Sequence, residues 1–174
     1  MHRHNILFLI GFLNLILAGC ASQPLRPPGA ETEPPAATAP VVHATDTAST
    51  VALQALAYLG TPYRSGGLSP QSGFDCSGLV VYVYREGAGL ALPRDTSDLS
   101  QIGAPVERAA LKPGDLVFYN TQRREYSHVG IYLGEDRFIH APSNGGEVRV
   151  ENLRANYWMR RYSGARRIIE SPPG

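Results

Sequence analysis

Between Ala21 and Ala48 the chain carries six of its 14 prolines and no Phe, Trp or Tyr. A stretch of that composition, dominated by Pro, Ala, Thr and Glu, cannot bury enough apolar surface to offset the entropy of ordering it. Residues 20–48 are therefore expected to form a disordered tether, which in extended polyproline II form reaches roughly 85 Å at ~3.1 Å per residue. This leaves, from 174 residues, one domain-sized body over 49–170 and a short tail at 171–174. The charges nearly cancel, 16 Lys+Arg against 15 Asp+Glu. That balance excludes a nucleic-acid binder built on a broad basic surface. Two cysteines are too few for a disulfide framework.

Ahead of the tether, Met1-His-Arg-His-Asn5 leads into the mostly apolar run Ile6–Leu17, followed by Ala18-Gly19-Cys20. A basic start, a short apolar core and a small-residue exit have the form of a secretory signal. A bilayer-spanning helix needs about 20 apolar residues, and this run stops short. Leu17-Ala-Gly-Cys20 resembles the bacterial lipobox. The resemblance implies removal of residues 1–19 as a lipoprotein signal peptide and lipidation of Cys20, whose acyl chains would hold the protein to a membrane. In the sorting pattern this resembles, an Asp after the cysteine signals inner-membrane retention. Here that residue is Ala21, which implies an outer-membrane protein facing the periplasm.

Within the body, Val51-Ala-Leu-Gln-Ala-Leu-Ala-Tyr-Leu59 predicts a short helix ended by Gly60-Thr-Pro62. Ser77–Glu86 predicts a second helix, because Leu79, Val80, Val83 and Tyr84 fall on one face; a buried strand is the competing reading of those valines. Later segments alternate or are rich in β-branched and aromatic residues, and predict strands at 115–119, 128–133, 137–140, 147–150 and 165–169. Helices first and consecutive strands after them indicate an α+β fold.

With signal and tether set aside, the chemically able residues are few. Cys76 is the body's one cysteine, and His128 and His140 are its two histidines. One thiol and two imidazoles make a minimal kit for thiol hydrolysis: a nucleophile, a base and a group that orients the base. A lone Cys is often a small buried hydrophobe, so composition alone leaves both readings open. Position favours chemistry. Cys76 lies in Gly73-Phe-Asp-Cys-Ser-Gly78, at the start of the second helix, where the helix dipole is expected to lower its pKa. His128 opens one predicted strand and His140 closes the next, so a hairpin would bring them together. Their rings share a face only if the strands pair with an even-sum register. That requires a loop with an odd count of residues or a bulge; a strict two-residue turn at Glu135-Asp136 would set them on opposite faces unless His140 lies beyond the ladder.

In order along the chain stand Pro62-Tyr-Arg-Ser-Gly-Gly67, Phe74-Asp-Cys-Ser-Gly-Leu79, Leu92-Pro-Arg94, Leu111-Lys-Pro-Gly-Asp-Leu-Val-Phe118, His128-Val-Gly-Ile-Tyr132 and Phe138-Ile-His-Ala141. Tyr157-Trp-Met-Arg-Arg-Tyr162 and Ala165-Arg-Arg167 close the series. This set resembles the NlpC/p60 family of bacterial cell-wall cysteine peptidases, most of all its Spr-type murein endopeptidase lipoproteins. The resemblance implies a reduced papain-like domain with helices packed on an antiparallel sheet. It implies Cys76 as nucleophile, His128 as general base, His140 as the residue orienting it, and a Tyr63 hydroxyl near the oxyanion. Asp75 and Ser77, beside the nucleophile, either bind the substrate's free amine or cap the helix. Ser65 stands where the family often carries an aromatic residue, which would reshape the substrate groove.

The expected activity is hydrolysis of peptidoglycan stem peptides or their cross-links, with no cofactor and no metal. Zinc held by Cys76, His128, His140 and Asp75 would lack any close ligand pair. Two other readings stay open: a catalytically silent wall-binding or regulatory lipoprotein of the same fold, and an acyltransferase using the same thiol.

Overall fold

The computed structural model describes residues 44–143 and 146–170. The signal peptide, Cys20, most of the tether and the 171–174 tail lie outside the described residues. The elements run α1 (Ala44–Leu56), β1 (Leu68–Ser69), β2 (Gly73–Phe74), α2 (Cys76–Ala88), α3 (Thr96–Leu99), β3 (Ala104–Pro105), a 3-10 turn (Arg108–Ala110), β4 (Leu116–Tyr119), β5 (His128–Gly134), β6 (Arg137–His140), β7 (Arg149–Asn152), α4 (Asn156–Met159) and β8 (Tyr162–Arg167). The fold is α+β, as expected. The helix reading of 77–86 holds over its competitor. One boundary moves: α1 begins at Ala44, inside the stretch assigned to the tether. Within that stretch the Ala48 carbonyl lies against Gly114, where a Cβ would come within 2.6 Å of it.

Six strands form one antiparallel sheet in the order β3-β8-β4-β5-β6-β7, while β1 and β2 pair separately. Alternation along each strand divides the core into two layers. Leu116, Phe118, Val129, Ile131 and Ile139 face Val51 and Ala55 of α1 and Leu79, Val80 and Val83 of α2. Val117, Tyr119, Tyr132, Phe138 and Ala165 turn the other way and are covered by Leu153 and Trp158. Both faces being covered explains why all four residues of β4 are buried. The Lys112–Asp115 segment is a structural turn. Buried Asp115 accepts from the Lys112 amide at 2.8 Å and from Arg167 Nη2 at 2.7 Å. Tyr84 of α2 donates to the Gly114 carbonyl and ties the helix to that turn.

The β5–β6 hairpin answers the register question. Its turn does have two central residues, Glu135 and Asp136, with φ +52° and +56°, as a type I′ turn requires. On its own this pairs Gly134 with Arg137, an odd sum. Between Tyr132 and Gly134 the register shifts, so that Tyr132 faces Phe138 and Ile131 faces Ile139. Leu133 is the extra residue of a β-bulge. It restores the even sum and sets His128 and His140 on one face.

Gly130 completes that face, because a Cβ there would lie 2.7 Å from Phe138 Cδ2, 2.8 Å from the Ile139 carbonyl oxygen and 3.2 Å from His140 Cβ. Gly130→Ala is expected to cost about 1–3 kcal/mol through overpacking. It should lower the urea midpoint, whereas an alanine at open Gly60, which has no atom within 4 Å of its added Cβ, is expected to pay only the smaller left-handed backbone strain.

Candidate active site

The nucleophile candidate is positioned by its N-cap. Asp75 holds extended backbone (φ −95°, ψ 179°) and its carboxylate accepts from the Gly78 amide at 2.8 Å, so α2 begins at Cys76 itself. The same carboxylate accepts from the Gly66 amide at 2.8 Å, drawing the Ser65–Gly67 loop over the helix start. Gly78 permits this, since a Cβ at that position would stand 2.0 Å from the Gly67 carbonyl oxygen. The paired glycines and the Asp-Cys-Ser-Gly run are thus two halves of one close backbone contact. On the other side, Tyr63 is fastened to this turn by a bridge to Phe74, with the Arg64 amide donating to the Phe74 carbonyl at 2.9 Å.

Cys76 is a free, half-buried thiol. Burial pushes its pKa up and the Asp75 carboxylate adds to this; the Val129 and Ser77 backbone amides and the Arg94 guanidinium pull it back. The net direction is upward, opposite to the lowering expected from the helix terminus alone. Desolvation of the thiolate and an adjacent anion outweigh the dipole. Cys76 packs against the core cluster that includes Val129 and Ile131 of β5, the strand that His128 opens.

His128 and His140 are both buried and their rings are joined by a 2.7 Å hydrogen bond between His128 Nε2 and His140 Nδ1. Trp158 stacks on His128 at 5.8 Å and stands edge-on to His140 at 4.9 Å. Burial depresses the His128 pKa to about 4. His140 falls to about 2, through burial, the neighbouring His128 and the positive charge of Arg149. Both rings are therefore neutral near pH 7, and their tautomers follow from the bond. If His128 is to accept a proton on Nδ1, its own proton sits on Nε2 and is donated to His140 Nδ1. The His140 proton must then be on Nε2, a buried atom without a hydrogen-bond partner among the described residues. His140 orients the base as a neutral acceptor, with no carboxylate behind it.

A cavity of about 370 Å³ is lined by Tyr63, Asp75, Cys76, Ser77 and Arg94, among others. Burial pushes the Tyr63 pKa up, helped by Asp75 and Cys76, so its hydroxyl keeps its proton and can donate. Asp75 is the helix cap, while the Ser77 hydroxyl caps no amide and donates instead to Asp75 at 3.5 Å. Asp75 is engaged by two amides and by Arg94, and buried Ser77 also accepts from Arg94. Arg94 is the residue whose role the sequence did not reveal. It lies 19 positions after Asp75 with no local signature, although Leu92-Pro-Arg94 stood out as a motif. Its fork over Asp75 and Ser77 neutralises the anion beside the thiol. Gly130 and Trp158 were likewise visible as motif letters without a physical reason. Among the described residues, no group of three or more His, Cys, Asp or Glu side chains is placed to hold a metal ion.

This arrangement, with a thiol at a helix start beside a buried imidazole pair on an antiparallel sheet, defines a thiol-hydrolase type of site. Residues 60–167 match the model of the NlpC/P60 family, and the chain belongs to that family. It is 46% identical over 114 residues to murein DD-endopeptidase MepH of Escherichia coli, covering 64% of this chain and 42% of that protein. With the probable endopeptidase NlpC of the same organism it shares 37% identity over 164 residues, 92% of this chain and 97% of the relative. Among solved structures, an NlpC/P60 family protein from Bacillus cereus superposes with a TM-score of 0.66 at 32% identity, over 71% of this chain and 40% of that one. The chain thus spans less than half of MepH.

Two outcomes test this electrostatic picture. Arg94→Met leaves Asp75 uncompensated, so the pH midpoint for alkylation of Cys76 by iodoacetamide should rise, while Arg94→Lys keeps most of the wild-type midpoint; an unchanged midpoint in the Met variant would refute the assignment. The two histidines have folded pKa values below the unfolded 6.5, so the unfolded chain binds protons first as the pH falls. Their contribution to stability is full above pH 6.5 and is lost progressively below it, down to about pH 4 for His128 and about pH 2 for His140. Thermal midpoints should drop across that window, and less steeply when both histidines are replaced by Asn.

Proposed function

We propose that the protein is a peptidoglycan hydrolase that cleaves stem peptides or their cross-links through a thioacyl-enzyme, with Cys76 as nucleophile, His128 as general base and His140 orienting it. The observation that carries this reading is a helix-start thiol packed against β5, the strand that begins at His128, whose ring is held at 2.7 Å by a second buried imidazole. The names of the relatives, a murein DD-endopeptidase and a probable endopeptidase, support the choice of substrate.

The chemistry follows from the charge states. Thiol and imidazole are both neutral at rest, so proton transfer accompanies attack. His128 Nδ1 takes the proton as the sulfur bonds to the scissile carbonyl carbon, and the carbonyl π electrons move to oxygen. The developing oxyanion lies where the first backbone N–H groups of α2, which lack intrahelical acceptors, and the Tyr63 hydroxyl can donate to it. As the tetrahedral state collapses, the C–N bond breaks and the leaving amine takes the proton from His128. Water then attacks the thioester, giving up its proton to His128, which returns it to sulfur. His140 keeps the Nε2 proton of His128 directed away from the thiol throughout.

Anchoring in the outer membrane through a lipidated Cys20, with the Pro-rich segment supplying reach into the periplasm, belongs to the same proposal and is supported by the Ile6–Cys20 pattern. Labelled palmitate should be incorporated into wild type and not into Cys20→Ala.

Purified sacculi incubated with wild type should release cleaved muropeptides identifiable by mass spectrometry, and Cys76→Ala should release none. Identical fragment patterns from the two would sink the reading. Because His128 must be neutral to act, kcat/KM should hold through pH 6 and fall only as the pH approaches about 4; an acid limb centred at the ordinary 6.5 would contradict a buried base.

A further inference from the structure

Cys76 and His128 line different cavities. The thiol belongs to the one containing Tyr63 and Arg94. His128 lines a second, of about 390 Å³, together with Thr121, Arg149, Glu151, Tyr157 and Trp158. In any acyl transfer to sulfur, the acyl fragment stays on the thiol and the amine departs towards the acid that protonates it. The cavity holding His128 is accordingly the seat of the leaving group.

That cavity has a definite charge pattern. Glu151 Oε1 accepts from Arg149 Nε at 2.8 Å, and the side chains are 48% and 28% exposed for Arg149 and Glu151. Glu151 is thus already engaged. Among the described residues the terminal Nη atoms of Arg149 have no acceptor, so the outer edge of a guanidinium fixed at Nε is what the cavity offers. Arg149 is also anchored by its backbone, pairing with His140 across β6 and β7, which holds it beside the imidazole pair. An Nη1/Nη2 fork accepts a planar carboxylate in two parallel hydrogen bonds.

We propose that Arg149 is a specificity-determining residue that binds a free carboxylate on the leaving-group residue, adjacent to the scissile nitrogen. The substrate class this selects is a peptide whose departing amine belongs to an amino acid with an unblocked α-carboxylate. A carboxylate seated there also offsets the positive charge that Arg149 directs at His140. This inference rests on the hydrolase reading above.

The test uses two cross-linked stem-peptide dimers that differ only in whether the amine-donating residue carries a free α-carboxylate or a carboxamide. Wild type should cleave the acid at least about 10-fold faster than the amide in kcat/KM, mainly through KM. The acid-to-amide ratio should fall towards one in Arg149→Gln and be largely retained in Arg149→Lys. Because each ratio is internal to one protein preparation, a loss of folded material cancels. A wild-type ratio near one, or an undiminished ratio in Arg149→Gln, overturns the inference and leaves the hydrolase reading intact. A wild type that cleaves neither peptide, in a preparation whose Cys76 still alkylates normally, overturns the hydrolase reading itself.

Discussion

Leu133 decides whether His128 and His140 can touch. Strand side chains alternate with period two, so one residue of register moves a side chain to the opposite face. The tight turn at Glu135-Asp136 sets Gly134 against Arg137, and continued without interruption that register would direct the two imidazoles to opposite sides of the sheet. The bulge at Leu133 inserts the missing residue. The consequences run outward from there. The 2.7 Å bond between the rings, the absent side chain at Gly130 and the stacking of Trp158 all presuppose the corrected register. The other sheet face, which receives α1 and α2, presupposes it too.

The imidazole pair lies in the aromatic layer, flanked by Tyr119, Phe138 and Trp158. That placement keeps both rings neutral, whereas a carboxylate partner in the position of His140 would stabilise an imidazolium and draw a resting thiolate–imidazolium pair into being. Burial raises the thiol at the same time. The site therefore stores its nucleophile uncharged and separates charge only when a carbonyl is in place to accept the electrons. A thiol of raised pKa is also a poor target for adventitious alkylation and oxidation.

How much of this was legible in the sequence depends on the range of the interaction. The helix from Cys76 was readable from the spacing of Leu79, Val80, Val83 and Tyr84, and the strands from their alternation, because both signals are local. The hairpin was readable as a condition: parity required an odd loop or a bulge, and nothing in Leu133 showed that it was the bulge. The rest was non-local. The pairing of Arg94 with Asp75 spans 19 residues and that of Arg167 with Asp115 spans 52. Two of the late arginines are taken up by distinct partners. Arg167 is spent on buried Asp115, and Arg161 lies over the ring of Tyr157 at 3.8 Å. The start of α1 was misjudged as well, and composition cannot register that the Ala48 carbonyl lies against a turn 66 residues further on.

The direction of the thiol pKa was misread because a helix terminus was considered without its cap. The residue that best starts a helix, an aspartate at the N-cap, is the residue that least favours an anion on the next side chain. An Asp-Cys helix start therefore carries a built-in conflict between helix stability and thiolate formation. Replacing the aspartate would relieve the sulfur and unfasten the Gly66 and Gly78 amides together. Arg94 resolves the conflict from outside the turn: its guanidinium leaves the carboxylate free to accept from both amides while cancelling the charge that the sulfur would otherwise face. The Leu92-Pro-Arg94 segment is then as much a part of the setting of the thiol as the residues that flank Cys76 in sequence.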